Sequence, residues 1–358
     1  MSPLTGLRIV EFDGLGPVTF LGMMLADLGA DVVRLTRSES AAAAVFTEVG
    51  GAILHRGRTA VPVNLKDPQD HARVLDLVAQ SHGLIEGFRP GVMERLGLGP
   101  EPCMARNPGL VFARVTGWGQ TGPLADAVGH DINYLALSGA LSTFGEADRP
   151  ARPPLNLVGD YAGGAMMGAI GLLAGLLQAR TTGRGAVIDV AMTDGVALMT
   201  ALFHALKAQG LWTDARDANL LDGSTPFYRC YRCRDGGEVA VGALEPRFYA
   251  ALLAGLDLTP EDAPQYDRSR WGEITDRFAA IFAKRDRDDW TARFAGTEAC
   301  VTPVLSLGEA VSNAHNRARG TFTAEGGPAP APVFNGTRPA AEASAGPADI
   351  ADALARWS

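Results

Sequence analysis

Residues 7–35 read LRIVEFDGLGPVTFLGMMLADLGADVVRL, and the periodicities in this stretch decide the class of fold. Leu7–Glu11 is a short apolar run of strand length. Gly14–Pro17 forms a turn in which Pro17 is placed to open a helix, because its fixed φ suits the first helical position. Apolar residues recur at helical spacing from Phe20 to Leu28, and Gly29 stops the helix. Asp31–Leu35 then starts a second strand. Strand, helix and strand in such close succession make a βαβ unit, the building block of a parallel sheet.

The same alternation continues outward. Val61–Leu65, Gly83–Glu86 and Leu110–Val115 read as strands, and Asp67–Gln80 as a helix with Val74, Leu75, Leu77 and Val78 on one face. Such a sheet is covered on both faces and takes its ligand at the carboxyl ends of the strands. The dinucleotide fingerprint is missing: Gly14-Leu15-Gly16 is followed by Thr19 where a third glycine belongs, and no Walker A sequence occurs. These absences argue against a nicotinamide dehydrogenase and a P-loop NTPase.

Further along, Asp160–Arg180 reads as a long helix, Val187–Val190 as a short strand and Thr193–Gln209 as another helix. The most apolar stretch, Ala162–Leu177, is shorter than the ~20 residues a spanning helix needs, so a buried core helix is expected rather than a membrane segment. Leu211–Thr225 reads as a polar linker. From Pro226 to Cys300 short strands alternate with amphipathic helices such as Trp271–Phe282 and Asp286–Phe294. Gly326–Pro347, rich in Pro, Ala and Gly, reads as extended. The expected organisation is α/β: a large Rossmann-like domain over 1–210, completed by 311–358, a linker over 211–225, and a small α+β domain over 226–310.

Composition narrows the function. Of 358 residues, 47% are hydrophobic and 20% charged, which supports a large globular core. The net charge of -8 and the lack of a long basic run speak against a nucleic-acid partner. Met1–Thr5 has no basic segment leading into an apolar one, so no secretory signal is read and a cytoplasmic location is expected. Cys230 and Cys233 form a lone Cys-x-x-Cys; a structural zinc site needs two further ligands, so no metal is expected and reduced thiols in a reducing compartment are.

Three positions could carry acid–base chemistry: His130 beside Asp131, Asp160 and Glu245. Each also has a structural reading. His130 suits a hydrogen-bonded loop position, Asp160 a helix N-cap, and Glu245, just before Pro246, simple helix-start chemistry. Arg34, Arg37, Arg56, Arg58, Arg89 and Arg95 fall within one α/β unit. Arginine grips phosphate through a planar fork, but surface arginines more often sit in weak ion pairs.

Four longer stretches tip this balance: LGMMLADLGADVVR (21–34), EGFRPGVMERLG (86–97), TGWGQTGP (116–123) and TGRGAVIDVAMTD (182–194). In this order they resemble the class III CoA-transferase and racemase family (CaiB/BaiF type), over about Leu4 to Phe322. Gly129–Tyr134, Asn156–Asp160, Asn219–Gly223 and Val241–Pro246 resemble the α-methylacyl-CoA racemase branch. The resemblance implies an interlocked homodimer in which the small domain of one chain closes the active site of the other. It implies an isomerase acting on 2-methylacyl-CoA thioesters. His130 and Asp160 would be the acid/base pair, with Glu245 orienting His130. Arg37, Arg56, Arg58, Arg89, Arg95 and Asp131 would contact the acyl-CoA. No cofactor is implied, because coenzyme A is part of the substrate. Removing and returning an α-proton calls for two facing acid/base groups and for donors to the enolate oxygen, which backbone N–H groups near Asp131 or at the helix start at Asp160 could supply. The rival within the family is a CoA-transferase with Asp160 as nucleophile. Met166, Met167, Met192 and Met199 could line an acyl-chain surface, although by type they read as core.

Overall fold

The computed structural model describes residues 2–37, 50–346 and 348–358. The chain divides into two compact units: Met1–Ala140, Pro153–Thr200 and Ala318–Ser358 form the first, Leu141–Arg152 and Ala201–Arg317 the second. The segments 141–152, 201–210 and 311–317, which the sequence reading places in the large domain, therefore belong to the second unit.

The first unit is built on a six-stranded parallel sheet of β1 (Arg8–Phe12), β2 (Asp31–Arg37), β3 (Arg58–Val63), β4 (Gly83–Glu86), β5 (Val111–Thr116) and β6 (Ala186–Ala191), in the order β3-β2-β1-β4-β5-β6. Successive strand residues face opposite layers. Val10, Phe12, Val33, Leu35, Leu84 and Phe112 pack against the helix Pro68–Gln80 and against Ile350, Ala353 and Trp357 of the helix Ile350–Trp357. Ile9, Val32, Ile85, Val111, Ala113 and Val115 face the other way, toward Leu21 and Leu25 of the helix Pro17–Asp27 and Leu172 and Leu176 of a longer helix.

β3 starts earlier than its apolar run suggests, because Arg58 is a strand residue pointing inward. Its guanidinium lies 2.6 and 2.8 Å from the two Glu11 oxygens and also donates to the Leu54 carbonyl. Both side chains are essentially fully buried. Burial pushes the Glu11 carboxyl above its ordinary range, and the Arg58 charge opposes that shift.

The long helix also departs from expectation. It opens as a π-helix over Leu157–Met166, continues as an α-helix over Met167–Thr182 and stops at Gly183. Its 26 residues are long and apolar enough, by length and composition alone, to cross a membrane, beyond the span read from sequence. In this fold the helix lies along β5 and β6 as one layer of the α/β unit. The helix expected over 193–209 is two, Met192–Met199 and Ala201–Ala208. They part at Thr200, whose hydroxyl bonds back to the Ala197 carbonyl at 2.7 Å and competes with the helical ladder.

In the second unit β7 (Tyr228–Arg232), β8 (Glu238–Gly242) and β9 (Val301–Val304) form an antiparallel sheet in the order β7-β8-β9. Its core is aromatic, with Phe227, Tyr249, Trp271, Phe278, Phe282 and Trp290 buried together. The stretch 211–225 is no open tether. Asn219, 2% exposed, donates to the Thr213 and Ala215 carbonyls, and the Asp222 carboxylate accepts the N–H groups of Ala218 and Asn219. Cys230 and Cys233 lie on and just after strand β7, and all four cysteines are free thiols.

Breaking one side of a buried ion pair strands the other charge. Arg58→Ala is expected to cost about 3–5 kcal/mol in urea unfolding, while the double replacement Glu11→Leu with Arg58→Met recovers most of that loss.

Candidate active site

β2 and β3 lie on one side of β1, and β4, β5 and β6 on the other. The carboxyl ends of β1 and β4 thus flank the switch point where a doubly wound sheet opens a crevice. The loop after β1 runs through Gly14-Leu15-Gly16 into the helix Pro17–Asp27. Asp160 is pressed against this loop. Gly16 sits at φ 67°, and a side chain there would bring its Cβ within 2.9 Å of the Asp160 Oδ2. Only glycine satisfies both demands.

Asp160 does not cap its helix; Asn156 occupies that position, and Asp160 falls in the first turn. The turn is wound wide: the N–H of Tyr161 reaches back five residues to the Asn156 carbonyl, at 3.3 Å. Such π-turns are rare and concentrate at functional sites. Two contacts fix it. Asn156 Nδ2 donates to Asp160 Oδ2 at 3.3 Å, and Tyr161 stacks on Phe20 with ring centroids 4.2 Å apart.

His130 precedes the helix Asp131–Leu137 and is exposed. Its backbone N–H donates to Asn133 Oδ1 at 3.0 Å, half of a capping box. Tyr134 braces the approach to this turn: its hydroxyl donates to the Gly129 carbonyl, and its ring meets Trp118 edge-on at 4.9 Å. Asp131 is buried, and its Oδ2 accepts the Asp160 N–H at 2.7 Å; Gly159 lies so close to the same oxygen that a Cβ there would come within 2.4 Å of it. That carboxylate faces protein backbone.

The structure thus brings His130, Asp131 and Asp160 into one electrostatic neighbourhood. Burial raises the Asp160 carboxyl above the usual aspartate range; the Asn156 hydrogen bond lowers it, the Asp131 charge raises it and His130 lowers it. Asp131 is likewise raised by burial, against its backbone hydrogen bonds. Tyr134 is pushed up to about 12 by burial and by the two carboxylates. Among the described residues, no three His, Cys, Asp or Glu side chains gather as metal ligands.

The arginines divide into two groups. Arg37 ends β2, Arg89 follows β4 and Arg95 ends the short helix Val92–Arg95; all three are exposed. The Arg89 turn is anchored from below: Glu86 accepts the Phe88 N–H at 2.7 Å and Arg114 Nε at 2.8 Å, and Arg114 also holds Glu94. Arg56 and Arg58 do not fit the role expected of them. Arg56 is 6% exposed, with its fork on the Asp27 carboxylate at 2.7 and 2.6 Å and a further donation to the Pro328 carbonyl. Arg58 is committed to Glu11. Arg34 is buried in an ion pair with Asp13 and also contacts His55. Sequence shows an arginine but not the carboxylate folded beneath it.

Glu245 belongs to the second unit, at the cap position before Pro246–Gly255. It is exposed, makes no capping hydrogen bond, and its charge raises the Cys300 thiol after burial does. Sequence reading missed Asn133, Tyr134 and the direct Asn156–Asp160 bond. The polar third helical residue and the four-residue spacing were the available signals.

Residues 4–353 match the family described as CoA-transferase family III. The chain belongs to that family. It is 43% identical over 339 residues to the mouse protein named alpha-methylacyl-CoA racemase, covering 93% of this chain and 87% of the mouse protein. The human protein of the same name is 42% identical over the same shares. A Brucella suis CaiB/BaiF family structure superposes over 100% of both chains with a TM-score of 0.84, and at 23% identity it shows the family III fold alone.

Carboxyl titration by carbon NMR should give Asp160 a midpoint above that of an ordinary aspartate. Asp131→Asn should lower this midpoint by removing a neighbouring negative charge, and Asn156→Ala should raise it by removing the hydrogen bond to the charged form.

Proposed function

We propose that this family III protein is an α-methylacyl-CoA racemase, an isomerase interconverting (2R)- and (2S)-2-methylacyl-CoA thioesters. The observation that carries this reading is the placement of His130 and Asp160 around one carboxylate, Asp131, at the switch point of the sheet. It is supported by the 43% identity to a protein of that name.

In this reading one group removes the α-proton, the C–H electron pair moves into an enolate, and the other group returns a proton to the opposite face. His130 serves one face and Asp160 the other. A carboxyl raised by burial is suited to hold a proton nearer neutrality than an ordinary aspartate. The enolate oxygen needs donors. The N–H of Asp160 is already given to Asp131, so the first-turn N–H groups at Asp131 and Ile132, which no intrahelical acceptor reaches, are the better oxyanion site. Arg37, Arg89 and Arg95, exposed around the carboxyl ends of β2 and β4, are the arginines suited to coenzyme A phosphates. No step requires a resident cofactor.

We also infer a homodimer. The helix Met167–Thr182 leaves Ile170 60% and Leu177 66% exposed on one stripe, with Met166 just before it at 47%. Leu155, Leu137 and Leu198 in the same unit are more than half exposed too. A monomer rarely leaves such surface to water, and a second copy would cover it. Glu245, exposed and without a capping hydrogen bond, is then available to the His130 of the other. Free thiols throughout fit a reducing, cytoplasmic setting.

In D2O, one epimer of a 2-methylacyl-CoA should gain deuterium at the α-carbon and yield the other epimer, and His130→Ala or Asp160→Ala should slow inversion by at least about 100-fold. Coenzyme A transfer to an added carboxylic acid, without exchange, would instead make Asp160 a nucleophile. Arg89→Ala should raise KM with kcat little changed. Light scattering should report twice the chain mass.

A further inference from the structure

Asp131 carries an unusual set of contacts for a carboxylate with only 9% of its surface exposed. Among the described residues, no cationic side chain pairs with it. Its Oδ2 accepts the Asp160 N–H at 2.7 Å, and among the described residues its buried Oδ1 has no hydrogen-bond partner. Burying a charge on such terms costs stability, so the arrangement needs a return elsewhere.

The return lies in what the carboxylate connects. Asp131 is the residue after His130 and the first of its helix, so its backbone moves with the His130 turn. Its side chain ends on the backbone of Asp160. No longer route is needed from one acid/base residue to the other: the peptide bond from His130, the Asp131 side chain, and one hydrogen bond of 2.7 Å. The far end of this link is a π-turn, whose first N–H groups have no helical acceptor of their own. Gly159 lets the carboxylate approach, since a side chain at 159 would overlap Oδ2.

We propose that Asp131 is a positioning residue that sets the distance between His130 and Asp160, and so keeps proton removal on one face coupled to proton return on the other. The proposal rests on the racemase reading above. Its chemistry is demanding, because two groups must each lie within hydrogen-bond reach of one α-carbon from opposite sides, and an error of about 1 Å at such a site costs on the order of 100-fold in rate.

The test separates two rates in D2O on one epimer of a 2-methylacyl-CoA: deuterium uptake with retention, and inversion. The wild type, Asp131→Ala, Asp131→Asn and Asp131→Glu are compared, with circular dichroism to establish folding. Asparagine keeps an oxygen to accept the Asp160 N–H; glutamate keeps the acceptor but lengthens the link by one methylene. Loss of the link leaves one face working without the other. Asp131→Ala is therefore expected to lose about 100-fold in kcat for inversion with KM within about threefold, and to raise the ratio of exchange to inversion at least about tenfold. Asp131→Asn should stay within about tenfold of wild type with an unaltered ratio, and Asp131→Glu should raise the ratio as alanine does. Should the alanine variant not fold, the glutamate variant decides. An active wild type whose alanine and glutamate variants keep its exchange-to-inversion ratio overturns the proposal and leaves the racemase reading standing. A wild type showing neither exchange nor inversion overturns both.

Discussion

Beside β1 the chain turns back on itself: β2 and β3 lead outward on one side, and β4, β5 and β6 on the other. Loops leaving β1 and β4 must part, and the gap between them is the natural place for a ligand. The site groups hang from that opening. Asp160 leans on the loop after β1, Arg89 follows β4, and Arg37 ends β2. The His130 turn joins them through the Asp131 carboxylate rather than through the sheet. A rigid frame thus supplies position, and one side chain links the two irregular pieces that lie beside it.

The frame is stiffened by buried ions as well as by apolar packing. Glu86 with Arg114 lies beside the opening, Glu11 with Arg58 ties β1 to β3, and Asp27 with Arg56 pins the end of the helix Pro17–Asp27 at the amino ends of β2 and β3. Pairs of this kind add little net stability compared with apolar residues of the same shape, but they tolerate only one arrangement of their partners. The Glu86–Arg114–Glu94 group illustrates this. By holding the Phe88 N–H from below, it fixes the turn on which Arg89 stands.

Much of this was legible in the sequence. The alternation of β-branched runs with helical periods gave the parallel sheet, and motifs spread along the chain gave the family. Asp160 comes to the His130-Asp131 pair from 29 residues further along the chain. What was not legible depended on partners brought in from elsewhere. Arg56 and Arg58 look like phosphate ligands until Asp27 and Glu11 fold beneath them. Asp160 looks like an N-cap because a carboxylate before an apolar helix usually is one; no sequence period announces a turn of five. Asn219 and Asp222 read as linker residues because their polar side chains give no hint that they bond to their own loop. Glu245 stands in the second unit, and its proposed role depends on a second copy of the chain.

The helix Ile350–Trp357 closes one layer of the first unit, with Ile350, Ala353 and Trp357 buried against β-strands made far earlier in the chain. Its Trp357 carbonyl and indole also bond Arg8 and Asp31. During synthesis, therefore, the ribosome has already released every residue of the second unit before the first can complete its core. The second unit, continuous apart from the short segment 141–152, can condense while the nascent sheet still shows an apolar face. Until that face is covered the growing chain has a sticky side, so it is during translation, more than in the finished fold, that this architecture is exposed to aggregation.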